Sequence, residues 1–245
     1  MVTLPVADCS NPKLLNPNQV EILCIALRDK IKLIAESGYL PFILGGDCSL
    51  LMGAVEGLIS ATLKLGLIYM DAHGDFNTPD TTPSGIIGGM DVAIVTGRGP
   101  KKLVNLFGHS PLLPDENIVL YGVRDLDSLE AVALAESRVK VYTRSNVRRE
   151  GAESSVEQIL SRFLLSCSGL YLHVDLDVID ESVFLASGLP VFDGLSGEEF
   201  RTVVRGLVRS GKLCGVMLAS FDAAKDADGC QARKLLDLVV EALYG

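Results

Sequence analysis

Residues 68–77 read IYMDAHGDFN, an apolar run that stops at three potential metal ligands spaced two residues apart. The run predicts a β-strand over residues 67–70. Because residues two apart in a strand project to the same face, we expect Asp71, His73 and Asp75 to converge at the end of this strand. Two carboxylates and an imidazole together suit a divalent metal ion. The alternative is a polar turn in which one carboxylate caps the end of the strand.

A second carboxylate pair follows another apolar run, LYLHV at residues 170–174. Asp175 and Asp177 are two residues apart and share a face at the end of this predicted strand. Two strand ends that each carry close carboxylates would suffer repulsion without a cation. Together they predict a pair of divalent ions that activates a water. We expect His173 to face the other way, as a core histidine rather than a ligand.

The third polar cluster, GGDCS at residues 45–49, also follows a short apolar strand and begins a helix. Cys48 would lie in the first turn of that helix, where the helix dipole lowers the pKa of a thiol. Taken alone, a cysteine at such a position is more often a buried and inert core residue. Because Cys48 would lie at the same edge of the sheet as the two carboxylate clusters, we interpret it as a thiolate ligand.

Apolar strands alternate with amphipathic helices along the chain. We predict strands over residues 41–44, 67–70, 117–123, 139–142, 170–174 and 213–219, and helices over 18–37, 48 to about 64, from 89, 127–137, 152–165, 196–209 and 226–242. Strands that are apolar throughout indicate a mostly parallel sheet covered on both faces. A (β/α)₈ barrel needs eight such units, so about six strands favour an open three-layer α/β/α sheet. Ligands bind such sheets at the carboxyl ends of the strands, where all three clusters lie.

Length and composition indicate one globular domain over residues 1–245. The chain is 48% hydrophobic and 22% charged, which suffices for a sizeable core. Its net charge of −9 argues against nucleic acid and anionic membrane surfaces as partners. No apolar run approaches the length of a membrane span, and no secretory signal is visible. The six cysteines show no spacing pattern, so we expect reduced thiols in a cytoplasmic protein.

The three clusters resemble, in order and spacing, the signature motifs of the ureohydrolase (arginase/agmatinase) superfamily, and the resemblance runs from about residue 40 to the C-terminus. It implies an arginase-like fold that is short at its front, a homo-oligomer, and two Mn²⁺ ions. It also implies hydrolysis of a guanidino or related amidine C–N bond by a metal-bridging hydroxide, from which Asp75 accepts a hydrogen bond. The implied ligands are Asp71 and Asp175 on both ions, Cys48 and Asp75 on one, and His73 and Asp177 on the other.

Three further residues resemble the family's substrate contacts. Asn77 and Ser84 match contacts to a substrate carboxylate, and Asp127, in YGVRDLD at residues 121–127, matches the aspartate that binds an α-amino group. The Arg-Asp-x-Asp pattern is typical of arginases rather than agmatinases. It implies a small cationic or amidino amino acid as substrate. Asp127 could equally be a helix cap.

The chain departs from the usual arginase pattern at residues near the site. Cys48 stands where arginases have histidine, Gly88 where they have a proton-shuttle histidine, and Ser220 where a glutamate pairs with the guanidinium. In the segment SGIIGGMD at residues 84–91, Ile86 also replaces an asparagine. Cysteine at this ligand position, the run from Asp71 to Thr82, and Gly88-Gly89-Met90 together resemble the Nω-hydroxy-arginine hydrolases of the superfamily. A hydroxyguanidine is less basic than a guanidine, so its hydrolysis would depend less on the glutamate and the shuttle histidine.

The same departures leave two alternatives open. The first is a catalytically impaired arginase-fold protein that serves as a metal-binding or regulatory subunit. The second is a two-metal phosphoester hydrolase, which the absence of Arg and Lys from residues 71–97 disfavours. Because a thiolate is soft and Mn²⁺ is hard, we also expect Zn²⁺ or partial occupancy at the Cys48 position.

Overall fold

Six strands form one parallel sheet in the computed structural model, which describes residue 4, residues 6–61 and residues 64–244. They are β1 (Phe42–Leu44), β2 (Leu65–Met70), β3 (Ile118–Val123), β4 (Lys140–Thr143), β5 (Gly169–Asp175) and β6 (Leu213–Ala219). Their order across the sheet is β1-β6-β5-β2-β3-β4, and every neighbouring pair is parallel. The prediction of an open parallel sheet rather than a barrel is therefore confirmed.

Helices cover both faces of this sheet. They are α1 (Pro17–Glu36), α2 (Leu51–Ile59), α3 (Asp91–Val95), α4 (Lys101–Val104), α5 (Ser128–Glu136), α6 (Arg144–Glu150), α7 (Ala152–Leu164), α8 (Gly197–Arg209) and α9 (Cys230–Tyr244). Alternate residues of β2 enter different cores: Tyr69 packs in the core that includes α1, α2 and α3, and Met70 in the core that includes α7, α8 and α9. The two cores make the fold three layers thick, as the apolar strands predict.

Several boundaries differ from the sequence-based prediction. The helix after Cys48 ends at Ile59 instead of about residue 64, and residues 62–63 lie outside the described residues. The short helices α4 and α6 were not predicted, because four and seven residues are too few for a helical period to show. Helix α9 begins at Cys230 rather than at residue 226. Assignment of residues 1–245 to one domain stays a prediction, because both chain ends lie outside the described residues.

The strand order places the carboxyl ends of β2 and β5 side by side. From β2 the chain continues to β3 and β4 on one side, whereas β5 lies against the other side of β2. Such a reversal of strand order is where open α/β sheets bind ligands. Met70 pairs with Val174, so the next residues along the two chain segments, Asp71 after β2 and Asp175 at the end of β5, lie next to each other. In the described part of the chain, no helix has the length and apolarity needed to cross a membrane.

Candidate metal centre

The six predicted ligands come from three chain segments at this edge of the sheet. Asp71, His73 and Asp75 follow β2, Asp175 ends β5, and Asp177 lies in the 3₁₀ turn directly after it. The remaining one, Cys48, begins a 3₁₀ turn that continues into α2. Asp47 holds this turn, because its Oδ1 accepts a hydrogen bond from the backbone N–H of Ser49 at 2.8 Å.

The structure brings all six residues together into overlapping groups. In each group, the potential ligand atoms lie within 4.8 Å of one another. The groups are Cys48, Asp71 and Asp175; Asp71, His73 and Asp177; and Cys48, Asp75 and Asp91. The first two share Asp71, which is the arrangement expected of a carboxylate that serves two ions.

The donor set fits divalent metal ions. The five carboxylates in these groups are all buried: Asp71, Asp75, Asp91, Asp175 and Asp177. Oδ2 of Asp71 is buried and has no hydrogen-bond partner among the described residues. Burial of a carboxylate oxygen without a hydrogen-bond partner destabilises the fold unless a cation contacts that oxygen. Carboxylates with an imidazole suit hard and borderline divalent ions, and the thiol adds a softer donor.

The pKa shifts that the protein groups cause in one another also favour a cation at this site. Burial and the charge of Asp177 raise the pKa of Asp175 to about 7. Burial and the charge of Asp71 likewise raise the pKa of Asp177 to about 6. For His73, burial lowers the pKa, but hydrogen bonds to Asp177 and Asp71 outweigh burial and raise the pKa to about 11. Divalent cations would reverse these shifts, because they favour ionised carboxylates and a neutral imidazole.

Asp75 is held by its backbone as well as by its side chain. Its φ of 47° lies in the left-handed region, which is uncommon for a residue other than glycine. Its carbonyl oxygen accepts hydrogen bonds from the N–H groups of Val92 at 3.1 Å and Ala93 at 3.3 Å. The hydroxyl of Tyr69 donates to Oδ2 of Asp75. These contacts keep the carboxylate pointed into the ligand cluster.

Asp91 is a potential ligand that sequence reasoning missed. Its side chain is fully buried, and its two oxygens lie 3.2 and 3.3 Å from the Tyr69 hydroxyl. Burial, followed by the charge of Asp71, raises its pKa well above the usual range. Asp91 follows a 3₁₀ turn rather than a strand, so no spacing in the sequence connects it with Asp75. The one available signal is an acidic residue within an otherwise apolar segment.

His173 occupies a different place from the one expected. It is a completely buried core residue, as predicted, and it belongs to none of the three ligand groups of the described residues. The expectation that it faces away from the site is wrong, because residues 173 and 175 are two apart in β5 and project to the same face. Nε2 of His173 lies 3.3 Å from Sγ of Cys48.

The ligand cluster forms part of the wall of a cavity of about 570 Å³. Asn77, Ser84 and Asp127 also line the cavity, so the structure brings the three predicted substrate contacts to one space. Nδ2 of Asn77 donates to Oδ2 of Asp127 at 2.9 Å, and the buried Oδ1 of Asn77 has no partner among the described residues. Asp127 also immediately precedes α5, and its N–H donates to Glu130. Its position therefore fits a helix cap and a substrate contact equally.

All four departures from the arginase pattern, Cys48, Ile86, Gly88 and Ser220, lie on the same cavity. Gly88 lines it, and a Cβ added there would meet nothing closer than 3.8 Å. The hydroxyl of Ser220 donates to Oδ2 of Asp175, on the carboxylate that also accepts from the Cys48 thiol at 3.0 Å. Ser220 therefore supports a predicted ligand and brings no negative charge to the cavity.

The chain resembles known proteins over most of its length. A family model described as "Arginase family" matches residues 1–245. The chain belongs to the arginase family. It is 35% identical over 219 residues to the arginase of Bacillus subtilis (strain 168), covering 89% of this chain and 73% of that protein.

Solved structures of the arginase family superpose closely. The crystal structure of the arginase from Bacillus cereus gives a TM-score of 0.92 at 32% identity, covering 100% of this chain and 82% of that one. That of the Entamoeba histolytica arginase in complex with L-ornithine gives 0.88 at 28% identity, covering 99% and 80%. The arginase-like fold is thus confirmed, and the chain is a metal-dependent hydrolase that acts on guanidino C–N bonds.

Proposed function

We propose that the chain hydrolyses an arginine-like amino acid, with an Nω-hydroxyguanidino group as the favoured form, at a pair of Mn²⁺ ions. The observation that carries the proposal is the cavity of about 570 Å³, which has the ligand cluster and the Asn77–Asp127 pair on its walls. The guanidino end of such an amino acid requires the ligand cluster, and its α-amino and carboxylate end requires the Asn77–Asp127 pair. The L-ornithine bound to the Entamoeba histolytica arginase is an α-amino acid that carries an amine where such a substrate carries its guanidino group.

Six residues would hold the ions: Asp71 and Asp175 on both, Cys48 and Asp75 on one, and His73 and Asp177 on the other. When bound, such a pair supplies Lewis acidity and lowers the pKa of a water to near neutrality. Asp75 would accept a hydrogen bond from the attacking water, and the Tyr69 hydroxyl fixes the orientation of its carboxylate. Zn²⁺ or partial occupancy is expected at the Cys48 position, because a thiolate favours softer ions.

At the other end of the cavity, the side chains fit an α-amino acid. Asp127 would accept hydrogen bonds from the substrate ammonium group. Asn77 and Ser84 would contact the substrate carboxylate, with Asn77 oriented by its hydrogen bond to Asp127. Charge-assisted hydrogen bonds of this type discriminate strongly against an amine that lacks the carboxylate.

The hydroxyguanidino preference follows from what the middle of the cavity lacks. Gly88 offers no side chain to move a proton, and Ser220 is hydrogen bonded to Asp175 and carries no charge to pair with a guanidinium. A hydroxyguanidine has a lower basicity, so it reaches the site neutral more readily and releases its leaving group with less assistance.

A cytoplasmic homo-oligomer completes the proposal. All six cysteines are free thiols, which fits a reducing compartment.

The test is a substrate panel with the Mn²⁺-loaded protein. Release of urea or hydroxyurea is measured with arginine, Nω-hydroxy-arginine and agmatine, and the amine product is quantified in parallel, as ornithine from the two amino acids and as putrescine from agmatine. We expect the highest kcat/KM with Nω-hydroxy-arginine and the lowest with agmatine, and loss of turnover in Asp75→Asn. Protein that holds two ions per chain and turns over none of the three substrates would instead identify a catalytically impaired, metal-binding or regulatory subunit.

A further inference from the structure

We propose that His173 is a positioning residue for the thiolate ligand, which it holds with a hydrogen bond from its Nε2–H to Sγ of Cys48. The inference rests on the proposed function to the extent that it takes Cys48 as a metal ligand. It assigns a role to a histidine that contacts neither substrate nor metal in the proposal above.

The contact between the two side chains is close and excludes water. Nε2 of His173 lies 3.3 Å from Sγ of Cys48, within the range for a hydrogen bond to sulfur. The two residues are 0% and 3% exposed, so solvent cannot replace either partner. Cys48 belongs to two of the ligand groups and His173 to none among the described residues, so the imidazole contacts the sulfur from outside the ligand cluster.

Two neighbours determine which nitrogen of His173 carries the proton. The Tyr171 hydroxyl lies 3.4 Å from Nδ1 and has no other hydrogen-bond partner in the described chain. A buried hydroxyl that donates its one proton there makes Nδ1 the acceptor, and a neutral imidazole then carries its proton on Nε2. The thiol proton of Cys48 is directed to Oδ2 of Asp175 at 3.0 Å. The sulfur therefore presents lone pairs, rather than its proton, to His173.

Aromatic packing fixes the ring in this orientation. His173 stacks on Tyr69 with ring centroids 4.5 Å apart and an interplanar angle of 10°. Tyr171 packs against it edge-on, with centroids 6.2 Å apart at 83°. A 180° flip of the imidazole would put ring carbons in the places of its two nitrogens and would break the contacts with both Cys48 and Tyr171. The same Tyr69 donates to Asp75, so one packed cluster orients two ligands of the same ion.

The charges around Cys48 show why a donor is needed at this place. Burial, followed by the charges of Asp175, Asp71, Asp75 and Asp91, raises the pKa of the Cys48 thiol well above its usual value, whereas the helix dipole alone would lower it. A thiolate in such a field gains from an N–H dipole that stabilises its electron density, as hydrogen bonds to metal ligands generally do. A neutral imidazole supplies that dipole without adding a charge to the buried cluster.

The test compares metal binding and the spectrum of the Co²⁺-loaded protein. His173→Phe removes the N–H and keeps a flat ring against Tyr69. We expect the affinity for the ion on the Cys48 side to fall about 10–100-fold. The thiolate-to-cobalt charge-transfer band should move to lower energy, because the sulfur loses its donor. Tyr171→Phe should produce a smaller shift in the same direction. Tyr121→Phe, which removes a buried phenolic hydroxyl hydrogen bonded to Ser155 elsewhere in the structure, should produce none.

A second background separates positioning from general stability. In Cys48→His protein, which has no thiolate, His173→Phe should change the metal affinity less than threefold. An equal loss in both backgrounds, or an unchanged band and affinity in the Cys48 protein, would overturn the inference. If wild-type protein binds two ions but shows no thiolate band, the Cys48 ligand of the proposed function fails along with it.

One measurement needs no variant of His173. The chain has three histidines, so the ¹⁵N spectrum of the Zn²⁺-loaded protein can be assigned. We expect chemical shifts of an Nε2–H tautomer at His173, with loss of that preference in Tyr171→Phe. An Nδ1–H tautomer in the loaded wild-type protein would refute the hydrogen bond directly.

Discussion

Replacing Asp175 by asparagine should stabilise the metal-free protein, and the gain should increase with pH. Asp175 has a pKa of about 7 in the fold, above its usual 3.8, because it is buried next to Asp177. The folded chain therefore holds a proton that the unfolded chain releases. The stabilisation of the fold by this proton is fully present below pH 4. As the pH rises to 7, it is lost, and the free energy of unfolding falls by about 1.4 kcal/mol per pH unit.

The expected magnitude follows from the interval between pH 5 and pH 7. Two pH units correspond to about 3 kcal/mol of free energy of unfolding, which the wild-type protein loses and Asp175→Asn does not. Any hydrogen bond that asparagine makes less well, for instance with the N–H of Asp177, costs the same at both ends of the interval. The difference between the two pH values is therefore the quantity to compare. With Mn²⁺ present the sign should reverse, because the variant lacks a ligand.

The assay is urea unfolding of chelator-treated protein, followed by circular dichroism at pH 5 and pH 7. Asp80→Asn, at an exposed position of the loop after β2, is the matched control and should show no pH-dependent difference. If Asp175→Asn differs from wild type by the same amount at both pH values, within about 1 kcal/mol, the fold does not raise the pKa of Asp175 and the reasoning fails.

Three further outcomes test other parts of the site. Gly88→His should raise kcat for arginine by about 100-fold, because a general acid or base contributes that much and a Cβ fits there; a rise of equal size in Gly89→His, measured by urea release, would count against a specific proton carrier. Asp127→Asn should raise the KM for amino-acid substrates about 10–100-fold with an unchanged Tm, since asparagine also caps helices; a lower Tm with an unchanged KM would make Asp127 a cap alone. Bound Mn²⁺ per chain should fall between pH 8 and pH 5 as ligands protonate, measured by equilibrium dialysis; constant stoichiometry would contradict carboxylate ligation.

The sequence predicts the fold and half of the site for a common physical reason. Buried parallel strands are apolar along their whole length, so the six runs and their polar ends are visible without tertiary information. Because the carboxyl ends of parallel strands share one edge, the clusters after β2 and β5 could be placed together before any coordinates. That reasoning covers Asp71, His73, Asp75, Asp175 and Asp177.

What it could not predict comes from contacts between loops and helices. Asp91 approaches Asp75 because the segment after residue 84 folds back over the strand end, and nothing in its spacing encodes that return. The contact between His173 and Cys48 depends on the turn before α2 packing onto the same face of the sheet as Tyr69 and Tyr171. Short helices such as α6 lack a readable period and are defined by local caps, here Thr143 with Asn146.

The hydrogen bonds from Val92 and Ala93 to the carbonyl of Asp75 have a consequence for anyone who would transplant loops within this family. A predicted metal ligand is fastened through its main chain to the segment that follows the divergent residues 84–90. Exchanging those residues as a cassette would preserve the centre only if the graft returns the chain to residues 91–93 in the same register. An insertion or deletion just upstream would turn the Asp75 carboxylate away from the metal centre. This effect would be larger than any change in substrate selectivity.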